Sequence, residues 1–322
     1  MKPRSPQETA RLTDRARGSL LGVAIGDALG APFEHLWPGE SNQVLDRTRG
    51  RIEDFHPYQG CRAGSWTDDT GMTLATCRAL IEMSSKHLPL EGCLRRAYRD
   101  WAGSTECRRP GKTILYAAKF GESDVDAWSN GALMRIAPVA IYSHVNELDS
   151  FEAATLAYRV ARFSHGHPLA TFPAVECVLA LMSIFSAETE VPEDLSDPGR
   201  YCKRFEGDRF YRYERYKAER HAELEGLALS TGLRMWRHVF EEGCLGLAEG
   251  SRRAGLPGFE EGILKAVNDC YDRDTAGAVA GSLLGAYWGE SGLPDKWRCR
   301  VEKADKIIEL ADSLSQEGGK PL

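Results

Sequence analysis

Residues 18–30 have the sequence GSLLGVAIGDALG, in which a glycine recurs at every fourth position. Residues 274–289, DTAGAVAGSLLGAYWG, repeat this spacing near the other end of the chain. Each glycine inside a helix costs about 1 kcal/mol relative to alanine, so such repeated use needs a compensating contact. Because glycines four apart lie on one side of a helix, the spacing predicts two helices that pack closely at the centre of a helical bundle.

Two acidic stretches come directly before apolar runs at helical spacing: TDDT at residues 67–70 and DRDT at residues 272–275. One interpretation is that both are helix N-termini, with threonine or aspartate capping backbone N–H groups and acids complementing the helix dipole. The alternative is that their four carboxylates and threonine hydroxyls bind Mg²⁺ or Mn²⁺, which prefer oxygen ligands. If the two helix starts meet in space, the sequence predicts a two-metal site.

The rest of the chain also shows helical periodicity. A first helix is predicted from Thr9 or Thr13 to about Gly30, followed by an irregular, glycine- and proline-rich stretch over 31–66. Further helices are predicted at 68–86, 90–102, 113–120, 151–163, 169–186, 221–250 and 259–269. Because no run alternates as a strand would, the prediction is an all-α protein with one domain over 9–312 and flexible tails at 1–8 and 313–322.

Composition limits the classes of function. The net charge of −6 argues against general affinity for nucleic acid or for anionic membranes. Segment 187–220 is an atypical, insertion-like stretch, and its basic, aromatic part at 200–220 favours a surface or protein-contacting helix, with nucleic-acid binding as the alternative. We expect the longest apolar stretches to be 20–31 and 276–288, which are too short to span a bilayer. With nine scattered cysteines and no apolar leader, we expect a cytoplasmic protein.

Six motifs, in this order along the chain, together resemble the ADP-ribosylglycohydrolase family. They are GSLLGVAIGDALGAPFE (18–34), GSWTDDT (64–70), PGKT (110–113), SNGALMRIAP (129–138), FSH (163–165) and DRDTAGAVAG (272–281). Each is weak alone, but the set extends over nearly the whole chain and is specific. The resemblance implies an orthogonal all-α bundle that holds two Mg²⁺ ions, with Mn²⁺ as a substitute.

The resemblance also assigns roles to the acidic residues. The implied metal ligands are Thr67, Asp68, Asp69, Asp272, Asp274 and Thr275. Asp274 would bridge the ions, and Asp68 or Asp69 would activate the attacking water. Glu34 is a candidate gate or auxiliary ligand, and a solvated loop acid is its alternative interpretation.

The family resemblance further implies that ADP-ribose is removed from a modified acceptor. Its implied contacts with ADP-ribose are Asn130, Gly131, Met134 and His165. Arg135 is either part of the site or a buried ion-pair partner. Asp124 and Asp126 are either ordinary loop acids or carboxylates that hold a guanidinium leaving group, with Asp126 as the catalytic candidate. We therefore predict arginine-linked ADP-ribose on a protein as the substrate.

The chain departs from the family pattern at several places. Cys270 and Tyr271 precede the last acidic motif, where relatives carry two glycines, and this changes the approach to the second metal. Two other functional classes therefore stay open. One is a protein that binds and blocks an ADP-ribosylating toxin or transferase, and the other is a structural family member without catalysis.

Overall fold

The computed structural model describes residues 4–34, 50–186, 239 and 258–316. In these ranges the regular structure is helical, and the only β pairings are two isolated bridges, Tyr58 with Cys61 and Asp124 with His165. The all-α prediction is therefore confirmed. Segment 187–220 and the predicted helix at 221–250 lie outside the described residues, apart from residue 239.

Eleven helices are seen in the described ranges of the chain. They are α1 (Pro6–Gly30), α2 (Asp68–Lys86), α3 (Leu90–Ala102), α4 (Lys112–Phe120), α5 (Ala137–Val145), α6 (Ser150–Arg162), α7 (Pro168–Ser186), α8 (Phe259–Asp269), α9 (Arg273–Trp288), α10 (Asp295–Arg298) and α11 (Ala304–Gln316). Short 3₁₀ helices lie at Ala31–Phe33, Asn130–Ala132 and Glu290–Gly292. Six of the helices, α2, α3, α4, α6, α7 and α8, match the predicted bounds to within one residue.

The two glycine-bearing helices, α1 and α9, pack against each other in antiparallel directions. A Cβ atom added at Gly22 would overlap the carbonyl oxygen of Gly281, and one added at Gly26 would overlap that of Gly277. The partner number falls as the α1 number rises, which defines the antiparallel direction. From Gly18 onward in α1, and up to Ala286 in α9, every residue is buried. The predicted central crossing is confirmed, and it brings the end of α1 to the start of α9.

The ends of the domain differ from the prediction. Helix α1 begins at Pro6, before Thr9, because Ser5 and Glu8 form a reciprocal capping box: Ser5 N–H donates to Glu8 at 2.7 Å and Glu8 N–H to Ser5 Oγ at 3.2 Å. At the other end, α11 continues to Gln316. Residues 6–8 and 313–316, for which the sequence predicts flexible tails, are therefore helical.

Helix α7 corrects the expectation about apolar length. It has 19 residues with a hydropathy of 1.8 in its most apolar window, long and apolar enough to cross a membrane by composition alone. However, 83% of that window is buried inside the fold, where α7 packs against α5 and α6. A core helix has this same composition, so packing accounts for its apolar character.

Candidate metal centre

The two acidic stretches meet where α1, α2 and α9 converge. Thr67 stands immediately before α2 and Asp272 immediately before α9, and neither side chain makes a capping hydrogen bond to its helix. The capping interpretation of these two positions is therefore wrong. Since Gly30 at the end of α1 lies against the backbone N–H of Asp274, the helix crossing itself places the second acidic stretch beside the first.

Three buried carboxylates form the centre of this junction: Asp27, Asp69 and Asp274. One oxygen of each lies within 4.8 Å of the others, as in sites that hold a metal ion. Burial raises the pKa of Asp69 well above its ordinary value, and the charges of Asp27, Asp68 and Asp272 raise it further. The pKa of Asp274 is raised in the same way by burial and then by Asp69. Carboxylates that are this close together and this deeply buried require either protonation or a bound cation to offset their repulsion.

Asp69 supplies the observation that favours a cation. Its Oδ1 is buried and has no hydrogen-bond partner among the described residues. Its Oδ2 has a long contact of 3.5 Å with the Thr67 hydroxyl, and the Thr275 hydroxyl also acts on this carboxylate by hydrogen bonding. A buried carboxylate oxygen without a donor is destabilising unless a ligand satisfies it. The all-oxygen donor set at the junction suits Mg²⁺ or Mn²⁺.

Asp27 was not recognised as a site residue in the sequence. Its carboxylate accepts hydrogen bonds from the Thr67 hydroxyl at 2.8 Å and the Thr70 hydroxyl at 2.6 Å. It also accepts from the backbone N–H groups of both threonines at 3.0 Å. Burial raises its pKa, and these hydrogen bonds oppose that change. The available signal was an ionisable residue inside the apolar, glycine-spaced stretch 18–30.

Asp68 and Asp272 lie at the more open side of the cluster, where both are half-buried. Burial raises the pKa of Asp68, and the neighbouring charge of Asp27 adds to the effect. Asp272 Oδ2 accepts a hydrogen bond of 2.7 Å from Asn130 Nδ2. Thr275 is buried, and its hydroxyl acts on Asp69 by hydrogen bonding. The structure thus brings together all six predicted metal ligands.

Glu34 is paired with a cation that the sequence did not indicate. Arg109 Nη1 donates to Glu34 Oε2 at 2.6 Å and to the carbonyl of Ala31 at 2.9 Å. The Arg109 guanidinium also stacks over the Tyr58 ring, 4.7 Å from its centroid. The pKa of Asp68 is raised mainly by burial and by the charge of Asp27, and the charge of Glu34 makes a smaller contribution. Glu34 therefore borders the cluster and is not an ordinary solvated acid.

Three of the four predicted substrate-binding residues form one network: Asn130, Gly131 and His165. The exception is Met134. A Cβ atom at Gly131 would lie 2.8 Å from the His165 ring, so the turn at Asn130 packs directly on this histidine. His165 Nε2 lies 2.9 Å from Ser129 Oγ, and Nδ1 lies 2.8 Å from Ser164 Oγ. Met134 packs in the hydrophobic core, where its carbonyl accepts a hydrogen bond from Thr73.

Arg135 is fully buried but is not an ion-pair partner. Its guanidinium donates to the Ser164 hydroxyl at 2.7 Å and to the carbonyl of Gly131, and no carboxylate pairs with it among the described residues. The ion-pair interpretation is wrong. Arg135 instead supports the turn and, through Ser164, the histidine.

The loop acids Asp124 and Asp126 are exposed. The Asp124 carboxylate accepts from the Asp126 backbone N–H at 3.0 Å, while the Asp124 backbone bonds to Ser164 and Gly166. Asp124 therefore shapes the loop. No contact joins Asp126 to the acidic cluster in the described part of the chain.

Comparison with known proteins gives the same family over nearly the whole chain. The ADP-ribosylglycohydrolase family model matches residues 8–321. The chain is 28% identical to ADP-ribosylarginine hydrolase Tri1 of Pseudomonas putida, covering 94% of this chain and 78% of the relative. It is also 28% identical to the ADP-ribosyl-[dinitrogen reductase] glycohydrolase of Rhodospirillum rubrum, covering 92% of both chains. These names describe hydrolases and give no support to a toxin-binding role.

A solved structure supports the same assignment. The fold resembles an ADP-ribosylglycohydrolase-related protein complex with a TM-score of 0.69 and 26% identity, covering 96% of this chain and 99% of the other. Because the family model matches nearly all of its residues, this chain belongs to the ADP-ribosylglycohydrolase family.

Proposed function

We propose that this protein is a metal-dependent hydrolase that removes ADP-ribose from arginine on a modified protein. The observation that carries the proposal is the buried junction of Asp27, Asp69 and Asp274 at the meeting of α1, α2 and α9, where Asp69 Oδ1 has no hydrogen-bond partner within the described ranges. Membership of the family supports release of ADP-ribose, and the names of two relatives support arginine as the acceptor.

The residues present fit two Mg²⁺ ions, with Mn²⁺ as an alternative. They would be held by Thr67, Asp68, Asp69, Asp272, Asp274 and Thr275. Asp27 would stand behind these ligands, because its oxygens already accept hydrogen bonds from the Thr67 and Thr70 hydroxyls and orient the start of α2. When bound, such ions orient sugar hydroxyls and lower the pKa of water.

The chain's own groups can carry the proton transfers of glycoside hydrolysis. Asp68 is half-buried with a raised pKa, so it suits a base that takes a proton from the attacking water, with Asp69 as the alternative. The water oxygen bonds to the anomeric carbon, the bond to the guanidinium nitrogen breaks, and that nitrogen takes up a proton. Asn130, Gly131 and His165 would orient ADP-ribose, and Glu34, once released by Arg109, would serve as the auxiliary ligand.

Hydrolysis of ADP-ribosylated arginine, with Mg²⁺ or with EDTA, tests the proposal. We expect release of ADP-ribose with Mg²⁺ and none with EDTA. The Asp68→Ala/Asp274→Ala variant should lose at least about 100-fold in rate and should show no Mg²⁺ binding by calorimetry. Asp100→Ala, which removes an exposed acid from α3, is the matched control and should behave as wild type.

Three results would contradict the proposal. Undiminished hydrolysis in EDTA would exclude the metal centre. Hydrolysis of serine-linked ADP-ribose alone would retain the centre and overturn the choice of arginine. Complete inactivity together with tight Mg²⁺ binding would favour the structural, non-catalytic alternative.

A further inference from the structure

Helix α4 and the loop that follows it expose an unusual number of large apolar side chains. The exposed fraction is 37% for Leu115, 46% for Tyr116, 49% for Phe120, 61% for Val125 and 38% for Trp128. We call these five residues the rim patch. Single exposed apolar residues are ordinary, but several in one 14-residue segment indicate a surface that meets a partner.

Packing of α4 does not explain this exposure. The helix already buries Ile114, Ala117 and Ala118 against the core. Leu115, Tyr116 and Phe120 are exposed on the rest of the helix surface, beside the exposed Lys112 and Lys119. The uncovered surface of α4 is therefore more apolar than that of an ordinary surface helix.

The segment that carries the rim patch contacts the acidic centre at both of its ends. At one end, the backbone N–H of Gly111, immediately before α4, acts on the Asp68 carboxylate by hydrogen bonding. At the other end, Asn130 donates to Asp272 at 2.7 Å. The segment 111–130 thus starts and finishes at the candidate metal centre, and the rim patch is its exposed surface.

The segment is held in place without a partner. The rings of Tyr116 and Phe120 are 4.7 Å apart, and the Tyr116 hydroxyl donates to Glu122 at 3.0 Å. The loop is also hydrogen-bonded to the turn that follows α6, where the Gly166 N–H donates to the Asp124 carbonyl at 2.7 Å. A preorganised surface loses little conformational entropy on binding.

Charges of opposite sign lie on different parts of the segment. The cations Lys112, Lys119 and Arg95 lie at α4, where Arg95 donates to the Lys119 carbonyl at 2.7 Å. Glu122, Asp124 and Asp126 are exposed in the loop that follows, between Phe120 and Asn130. This acidic loop, with Val125 and Trp128, suits a chain segment that carries arginine and aliphatic residues. A modified arginine entering the centre would bring its neighbouring residues over this surface.

We propose that the rim patch is the docking surface for the acceptor protein, on either side of the ADP-ribosylated arginine. This inference rests on the function proposed above. It separates two tasks: the centre recognises ADP-ribose, and the rim patch recognises the polypeptide that carries it. Small ADP-ribosylated compounds need only the first, whereas protein substrates use both.

Comparison of a small and a protein substrate tests this separation. Phe120→Ser should raise KM for histone ADP-ribosylated on arginine by about fivefold or more, while kcat/KM for free ADP-ribosylarginine stays within about twofold of wild type. Phe151→Ser is the matched control, because Phe151 is an equally exposed ring at the start of α6. This control substitution should leave KM and kcat/KM unchanged for both substrates. Val125→Ser provides a second rim variant if Phe120→Ser is poorly folded.

A binding measurement keeps this inference separate from the catalytic proposal. In the Asp274→Asn background, Phe120→Ser should weaken capture of the modified histone by a similar factor, whether or not the wild type is catalytic. Equal loss on both substrates, or no loss on either, would overturn the docking role. So would sedimentation showing a wild-type dimer that Phe120→Ser dissociates, since the rim patch would then bind a second copy of the chain.

Discussion

At the scale of single residues, the centre depends on partners that stand outside the acidic stretches. Asp27 fixes Thr67 and Thr70, and Arg109 holds Glu34 at the edge of the cluster. Thr67 stands at a position where a hydroxyl typically caps its own helix. Its hydroxyl instead donates a hydrogen bond to Asp27, 40 positions away. Each of these contacts satisfies a buried polar group that would otherwise be costly.

His165 provides a prediction about pH. Burial lowers its pKa to about 3, and the neighbouring Arg135 adds to this effect. Because the folded pKa lies below the ordinary 6.5, the neutral ring's contribution to stability is complete above pH 6.5 and is lost as the pH falls towards 3. His165→Gln should therefore lose less unfolding free energy than wild type between pH 7 and pH 4.5, as measured in urea.

Nuclear magnetic resonance of the labelled histidines gives an independent reading. We expect the His165 ring to stay neutral throughout pH 4.5–7.5, held between the hydroxyls of Ser129 and Ser164. A ring that titrates near pH 6.5 would show that the buried network does not form.

At the scale of elements, the crossing of α1 and α9 determines where the centre lies. The two backbones are in contact at Gly22 and Gly26, and no side chain fits between them. The same contact explains why the glycines persist at a cost of about 1 kcal/mol each in helix propensity. It also sets the distance between the C-terminal turn of α1, with Asp27, and the N-terminal turn of α9, with Asp274.

Gly22→Ala should lower the free energy of unfolding by ~2 kcal/mol or more, because its methyl group would overlap the Gly281 backbone. Urea unfolding measures this loss. Gly92→Ala is the matched control: it lies within the exposed part of α3 with no atom near its Cβ position, so it should stabilise by about 0.5–1 kcal/mol. Equal effects of the two substitutions would show that α1 and α9 do not touch.

At the scale of the whole molecule, the centre joins segments from both ends of the chain. Without a cation, burial and mutual repulsion raise the pKa values of Asp69 and Asp274. The stability linked to their protonated forms is present below pH 3.8 and is lost as the pH rises through the raised values. A bound cation would offset this loss at neutral pH.

Asp274→Asn should therefore have opposite effects in two buffers at pH 7. In EDTA it should raise the melting temperature by about 2 °C or more, because it removes one repelling charge. Saturating Mg²⁺ should stabilise wild type by about 2.7 kcal/mol at 100 times Kd, and the variant much less. Scanning calorimetry measures both, with Asp100→Asn as control. A full Mg²⁺ effect in the variant would place the ions elsewhere.

The sequence by itself determined the all-α class, the central crossing, most helix bounds and the two acidic stretches. These follow from local periodicity: spacing of four places glycines on one side of a helix, and apolar repeats mark the buried face. The start of α1 at Pro6 was also available, in the Ser5 and Glu8 capping pair. Helix α5 is harder to predict from the sequence, because it is buried nearly all round and shows no polar face.

Only the tertiary structure decided what each polar residue does. Arg109 reaches Glu34 across 75 positions, and Asn130 reaches Asp272 across 142. The role of Asp27, the bond that replaces capping at Thr67, and the exposed second side of α4 likewise depend on which surfaces meet. Such pairings have no period in the sequence, because they arise when packed helices bring distant turns together and buried polar groups take the nearest available partner.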